Sequence, residues 1–445
     1  MRRCVLKHTL LLALGAVLAP AVPAQAQFGG LGSEYLSVGY EQEARHNPIA
    51  RLQRRLASGE VQLEWKAERG YFDSLLEALD IDPSSQVLVF SPTSLQYRLI
   101  GPSTPRAIYF SDDTYVAYVQ NSTIVEITTM DEQLGSVFYV FNNAQNAARP
   151  LERENERCLV CHDSSGLAAG GVPLLLARSG LFDRRGVLLE DISGTGNTTD
   201  ATPIAERWGG WYVTGQSGQQ SHLGNVVLSN PGQVAQVQEH LQFNIDSLAN
   251  SGLFNTAPYP RDTSDIVALM VLEHQLTVQN QVTYVKFKAP MVLQRTGHGD
   301  YRDAQRWTEL PAPAQKALSR MLDKLVDILL FVDAAPLADR ITGDPAFAAS
   351  FQARGKRDAQ GRSLRDFDLE TRLFKYPLSY LVASADFDAL PPYAKDYVYQ
   401  QINERLRSGD TLPVPAEARE AALAILSAIK DDFAPYATPA PTPGA

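Results

Sequence analysis

Residues 106–142 read RAIYFSDDTYVAYVQNSTIVEITTMDEQLGSVFYVFN, and this stretch decides the fold class. Its short β-branched and aromatic runs (AIYF, YVAYV, IVEIT, VFYVF) are separated by turn chemistry, Ser111-Asp112-Asp113 and Gln120-Asn121-Ser122. With VLVF at residues 87–90, they predict an antiparallel meander from Val87 to Asn142. Working outward, the period changes on both sides. Pro48 opens a segment with Ile49, Leu52 and Leu56 at helical spacing, and Tyr71, Leu75, Leu76 and Leu79 form a second stripe. Downstream, Gly-rich loops alternate with short strands at Trp211-Tyr212-Val213 and Val226-Val227-Leu228. Asp265 to Gln275 is apolar on nearly every face, as a buried helix is. From about Pro311 helices dominate, with stripes at Leu318, Met321, Leu325, Leu329 and Val332 and at Leu423, Leu426 and Ile429.

The expected class is α+β. An antiparallel β-rich region lies before and around a cysteine motif, flanked by N-terminal helices and a mainly helical C-terminal region. The expected boundaries are 27–85 for the N-terminal helices, 86–300 for the β-rich region and 301–432 for the C-terminal helices. A Pro-rich tail without structure is expected over 433–445.

The first residues set the compartment. Arg2, Arg3 and Lys7 precede an apolar stretch from Thr9 to Val22 that is too short and too proline-broken to span a bilayer, and Ala24-Gln25-Ala26 is a small-residue cleavage site. Residues 1–26 therefore read as a secretory signal peptide cut after Ala26, which implies a periplasmic or secreted protein. Removing the three signal cations leaves 37 basic residues against 50 acids, a charge of about −13 that argues against nucleic-acid or anionic-membrane partners. No later apolar run approaches the length of a membrane helix. Cys4 leaves with the signal, so only Cys158 and Cys161 remain.

Those two lie in NERCLVCHDSS, residues 155–165. C-x-x-C-H is the attachment pattern of c-type haem: two thiols spaced to form thioethers with the vinyl groups on one haem edge, and His162 placed under the iron. Other readings exist for the cysteines. Structural zinc wants four ligands, and there is no second cysteine pair. A redox disulfide would open a helix in a strand-helix-strand unit, whereas SSGLAAGGVP is loop-like. A plain disulfide suits an oxidising compartment.

On this motif the chain resembles the c-type cytochromes, which implies one covalent haem c on Cys158 and Cys161 with His162 as the proximal iron ligand. It is also similar to a group of large exported bacterial proteins with one such motif, through SPTSLQYRLIGPSTPRAIYFSDDTYVAYV, ERCLVCHDSS, RWGGWYVTG and FDLETRLFKYPLSYL. That second likeness covers much of the chain but carries no activity with it. The small cytochromes follow their motif with a methionine ligand, yet here no methionine lies between Met130 and Met270. In those carriers a Gly-x-Pro segment after the motif accepts the ring N–H of the ligand histidine. Gly171-Val172-Pro173 is the corresponding segment here.

The far side of the iron separates a carrier from an enzyme, because a second strong ligand closes the metal. His222, in GQQSHLGN 60 residues beyond His162, is the first candidate for the distal ligand. His274 and Met270, one helical turn apart, are the alternatives. His46 and His240 read as surface residues. Trp208, Trp211 and Tyr212 suit the rim of a haem pocket, and Arg157, Arg178 or Arg207 could pair with propionates. The run GKRDAQGRSLRDFDLETR, residues 355–372, alternates Arg and Asp as a salt-bridged surface or docking face does. There is no P-loop, dinucleotide fingerprint, G-x-S-x-G or H-E-x-x-H pattern. The leading expectation is electron transfer with a redox partner protein. The alternatives are a haem peroxidase or oxygenase with an open distal side, and a non-catalytic haem sensor or structural protein.

Overall fold

The computed structural model describes residues 39–42, 44–146, 151–163, 171–194, 196–410 and 412–437. Residues 1–26, expected as a signal peptide, and residues 438–445 of the expected tail lie outside the described residues. The first residues of the tail expected from 433 are ordered: Phe433 is buried, and Ala434–Ala437 form a turn of helix.

The class is α+β, with a strand-rich middle and helices toward both ends. The meander is present as β1 (Val87–Val89), β2 (Arg106–Phe110), β3 (Thr114–Tyr118), β4 (Ile124–Asp131), β5 (Gly135–Asn142) and β6 (Leu151–Arg153). After the two strands of a hairpin, β7 (Gly180–Asp183) and β8 (Leu188–Asp191), β9 (Trp211–Tyr212) adds to the free edge of β1. The order is β6-β5-β4-β3-β2-β1-β9. Every pairing in this seven-stranded sheet is antiparallel. A smaller sheet, β10-β7-β8, uses β10 (Val227–Leu228) in parallel with β7.

Both faces of the large sheet are covered. One carries Ala107, Tyr109, Val116, Tyr118, Ile127, Tyr139 and Phe141 against the N-terminal helices Pro48–Ala57 and Phe72–Ala78. Asn47 caps the first of these helices, its Oδ1 accepting from Ala50 N at 2.9 Å, and its amide donates to Asp131 Oδ2 at 2.8 Å. Asp131 also takes the Gln133 and Leu134 amides of the β4–β5 turn, which ties that helix to the sheet.

On the opposite face, Phe110, Tyr115 and Met130 pack into a core shared with the helix Ile266–Arg295 and the C-terminal helices. The apolar segment expected over 265–275 is thus the start of a 30-residue helix that continues to Arg295 inside the expected β-rich region. It is buried all round because the sheet lies on one side and Ala312–Leu329, which contributes Leu318, Leu322, Leu325 and Leu329, on the other. The helices Pro392–Ser408 and Ala416–Ile429 complete this layer.

Candidate functional site

The chain leaves β6 and at once forms the seven-residue helix Glu156–His162, which holds the whole C-x-x-C-H motif. Leu159 is the buried anchor of this helix, and Cys158 packs half-buried against the same apolar cluster. Three residues on, Cys161 is exposed, and between them Val160 stands 58% exposed, an unusual place for an apolar side chain. Both cysteines are free thiols. Burial pushes the Cys158 thiol up to about 12, with the Glu126 and Glu154 carboxylates adding to the rise.

His162 ends the helix with its ring against Phe138 of β5, centroids 4.6 Å apart. Its Nδ1 lies 2.6 Å from the carbonyl oxygen of Leu174. A carbonyl only accepts, so Nδ1 carries the proton and the lone pair of the neutral ring belongs to Nε2. Burial holds the imidazole pKa below its ordinary value, against the opposing pull of the Leu174 bond. The ring is therefore neutral, as a metal ligand must be.

The acceptor falls one residue past the Gly171-Val172-Pro173 segment. Gly171 takes a positive φ of 76°, which turns the chain back toward the helix, and Leu174 N donates to His162 O at 3.0 Å. The next residue is clamped. Asn280 of the long helix accepts from Leu175 N and donates to Leu175 O, each at 2.8 Å, and Asn197 also donates to Leu175 O at 2.8 Å. Sequence reasoning missed both asparagines, because nothing in the chain near them signals that they hold a backbone more than twenty residues away.

Beneath the motif, Arg106 of β2 and Glu126 of β4 lie on the same sheet face as Phe138 and form an ion pair at 3.3 Å across the small Ala117. Arg106 Nε and Glu126 Oε1 are buried and have no hydrogen-bond partner among the described residues. Two thiols one helical turn apart, a neutral imidazole whose Nε2 has no partner among the described residues, an exposed valine and polar atoms under the helix likewise unpartnered among those residues form a donor set that fits a covalently held haem.

The three distal candidates are engaged elsewhere. His222 is 1% exposed, edge-on to Trp208 at 5.1 Å and Phe243 at 6.0 Å. Its Nδ1 accepts from Gly224 N at 3.1 Å, so Nε2 bears the proton, and burial alone lowers its pKa to about 4. His274 spends both ring nitrogens, Nδ1 on Asp200 Oδ2 and Nε2 on Ser379 Oγ, each at 2.7 Å, and stacks on Phe331. This carboxylate–imidazole–hydroxyl series has the distances of a hydrolytic triad. Ser379, however, is fully buried and its Oγ also takes the Leu381 amide, so the series ties the long helix to the C-terminal layer. Met270 sits in the core between the long helix and the C-terminal helices, whereas Cys158, Leu159, Phe138 and Leu174 share the other core.

The arginines and aromatics are likewise committed. Arg157 pairs with Glu154, Arg178 with Asp191, and buried Arg207 with Glu273 at 3.0 Å. Trp208, Trp211 and Tyr212 are core residues, and Trp211 Nε1 donates to Arg178 O. Among the described residues, no group of three or more His, Cys, Asp or Glu is gathered as a metal cluster. No protein family, curated protein or solved structure matches this chain.

Proposed function

We propose that this chain is an exported c-type cytochrome that carries one covalent haem and transfers single electrons to and from a redox partner protein. The observation that carries this reading is the 2.6 Å bond from His162 Nδ1 to Leu174 O, made by the histidine of a C-x-x-C-H helix. It leaves Nε2 as the ligating atom and orients the ring before any metal arrives. Haem bound here supplies the Fe(II)/Fe(III) couple.

The rest of the work belongs to the chain. Cys158 and Cys161 hold the porphyrin edge through sulfur. Leu174, clamped by Asn280 and Asn197, fixes the imidazole. Arg106 and Glu126 set the charge beside it. No helix among the described residues is long and apolar enough to cross a membrane.

The test is the mature chain produced with a periplasmic cytochrome-maturation system. Intact mass above the polypeptide by one haem, and a pyridine haemochrome spectrum of the thioether-linked type, are expected. A colourless product, or pigment removed entirely by acidified acetone, overturns the proposal. Adding carbon monoxide to the reduced protein then separates a closed iron, whose bands do not move, from the open iron of a peroxidase or gas sensor.

A further inference from the structure

The Arg/Asp run of residues 355–372 offers a partner little, because its charges are spent within the chain: Arg357 on Asp366 at 3.2 Å, Arg362 Nε on Asp358 at 2.8 Å, and buried Arg365 on Asp112. An open surface lies elsewhere. Four of the seven exposed large apolar side chains among the described residues stand on two neighbouring loops: Tyr97 and Leu99 on one, Val187 and Leu188 on the other. Gly186 in the β7–β8 turn brings the loops together. A Cβ there would lie 3.6 Å from Pro92 and 3.9 Å from the Cα of Gly101, which flank residues 97–99. Single apolar residues are ordinary on a surface, whereas a gathered patch marks a contact.

Val187 and Leu188 lead into an open sheet edge. Among the described residues β8 pairs with β7 alone, on the side away from β10, and no isolated bridge touches it. The segment Pro231–His240 covers a face of this sheet and leaves the edge clear: its Val234 and Val237 pack on a cluster that takes Leu181 from β7, Leu189 from β8 and Leu228 from β10. A bare strand edge flanked by apolar side chains is a template for another strand.

The charges along this edge choose the partner. Exposed Arg184 and Arg185 precede Val187, and exposed Glu190 and Asp191 follow Leu189. Arg185 pairs with Asp183 at 3.1 Å and Asp191 with Arg178 at 2.6 Å. Arg184 and Glu190 form no ion pair among the described residues, and they stand three residues to either side of Val187. A partner of one charge would match only half of such an edge. A two-fold axis, by contrast, turns each end of a strand onto the other. With the axis at Val187 and the strands antiparallel, Arg184 of each copy falls opposite Glu190 of the other, and Arg185 lies diagonal to Asp191.

We propose that the β8 edge is the interface of a two-fold homodimer, in which the strands of two copies pair and Val187, Leu188, Tyr97 and Leu99 form the apolar part of the contact. The net negative charge of the chain opposes association at long range. At physiological salt such fields fade over about 8 Å, so the pairs in contact decide. The interface uses none of Cys158, Cys161 and His162 and stands apart from the haem reading.

The test is the mass of the full mature chain in solution by analytical ultracentrifugation at physiological salt. Twice the chain mass at about 100 µM, falling toward the monomer at about 1 µM, is expected. Val187→Lys sets two ammonium groups against each other on the axis and is expected to give the monomer throughout. Arg184→Glu is expected to weaken the dimer about ten-fold. Adding Glu190→Arg to Arg184→Glu rebuilds both pairs with their signs exchanged, and is expected to restore the dimer.

A monomer at about 100 µM gives this edge another occupant and overturns the proposal. So does a dimer that survives Val187→Lys, or a charge-swapped double variant no tighter than Arg184→Glu alone. Should Val187→Lys fail to fold by circular dichroism, the two charge variants decide.

Discussion

His222 and His162 carry the same side chain in opposite tautomers, because one Nδ1 meets a backbone N–H and the other a carbonyl. The consequence for His222 is an acid sensitivity of known sign. Its folded pKa, about 4, lies below the ordinary value of 6.5, so as pH falls through that interval the unfolded chain takes up the proton first. Stability present above pH 6.5 is lost progressively down to pH 4, by about 3 kcal/mol in all. His222→Asn keeps an acceptor for Gly224 N and removes the titration. Urea denaturation at pH 7 and pH 4 is expected to show the wild type losing about 3 kcal/mol more than this variant. Equal losses would mean that His222 is not the neutral buried group described. The comparison must be between variants, because Glu273 and Asp265 are both pushed up to about 7 by burial and slope the other way.

The element that matters most for the site is the strap from Gly171 to Ala177, which has no regular structure and gains its order from side chains of other elements. Asn280 satisfies both backbone groups of Leu175, so Asn280→Ala leaves a donor and an acceptor without those bonds. The expected cost is about 1–3 kcal/mol by chemical denaturation. Amide exchange at Leu174 and Leu175 should rise far more than at residues of β3 and β4, which lie outside the strap. Unchanged protection at these two amides would show that the strap holds itself, and the positioning role given to Asn280 would fail.

At the scale of the molecule, the long helix is the common wall of the sheet and the C-terminal layer. Met130 and Tyr115 from strands, Val267 and Val285 from the helix, and Leu322, Leu378 and Ile402 from the C-terminal part belong to one core. A chain ending at residue 300 would keep the strands and the motif but expose one side of that helix to water. It is expected to be insoluble or to melt without a cooperative transition, measured by circular dichroism on heating. A soluble fragment with a sharp melt would show that the strand region is an independent domain. Within the intact chain, Leu325→Ala is expected to cost about 2–5 kcal/mol, with tryptophan fluorescence and circular dichroism shifting together.

The local signals in this chain are strong where one element's periodicity suffices. The β-branched runs and turn residues of 106–142 specify a meander because side chains alternate faces and turns cap each run. Pro48 marks a helix start because its preset φ acts within one turn. The motif gathers two thiols and an imidazole within five residues by spacing alone, but the stretch reads as irregular in the sequence and folds as a short helix. What the tertiary structure decided is everything that depends on a partner far along the chain. The Leu174 carbonyl on His162, the Asn280 clamp, the buried positions of His222 and His274, and the inward turn of Arg365 onto Asp112 each join residues whose pairing leaves no periodic trace. Burial and hydrogen-bond partners are properties of the packed chain, and they set which nitrogen of each histidine holds its proton.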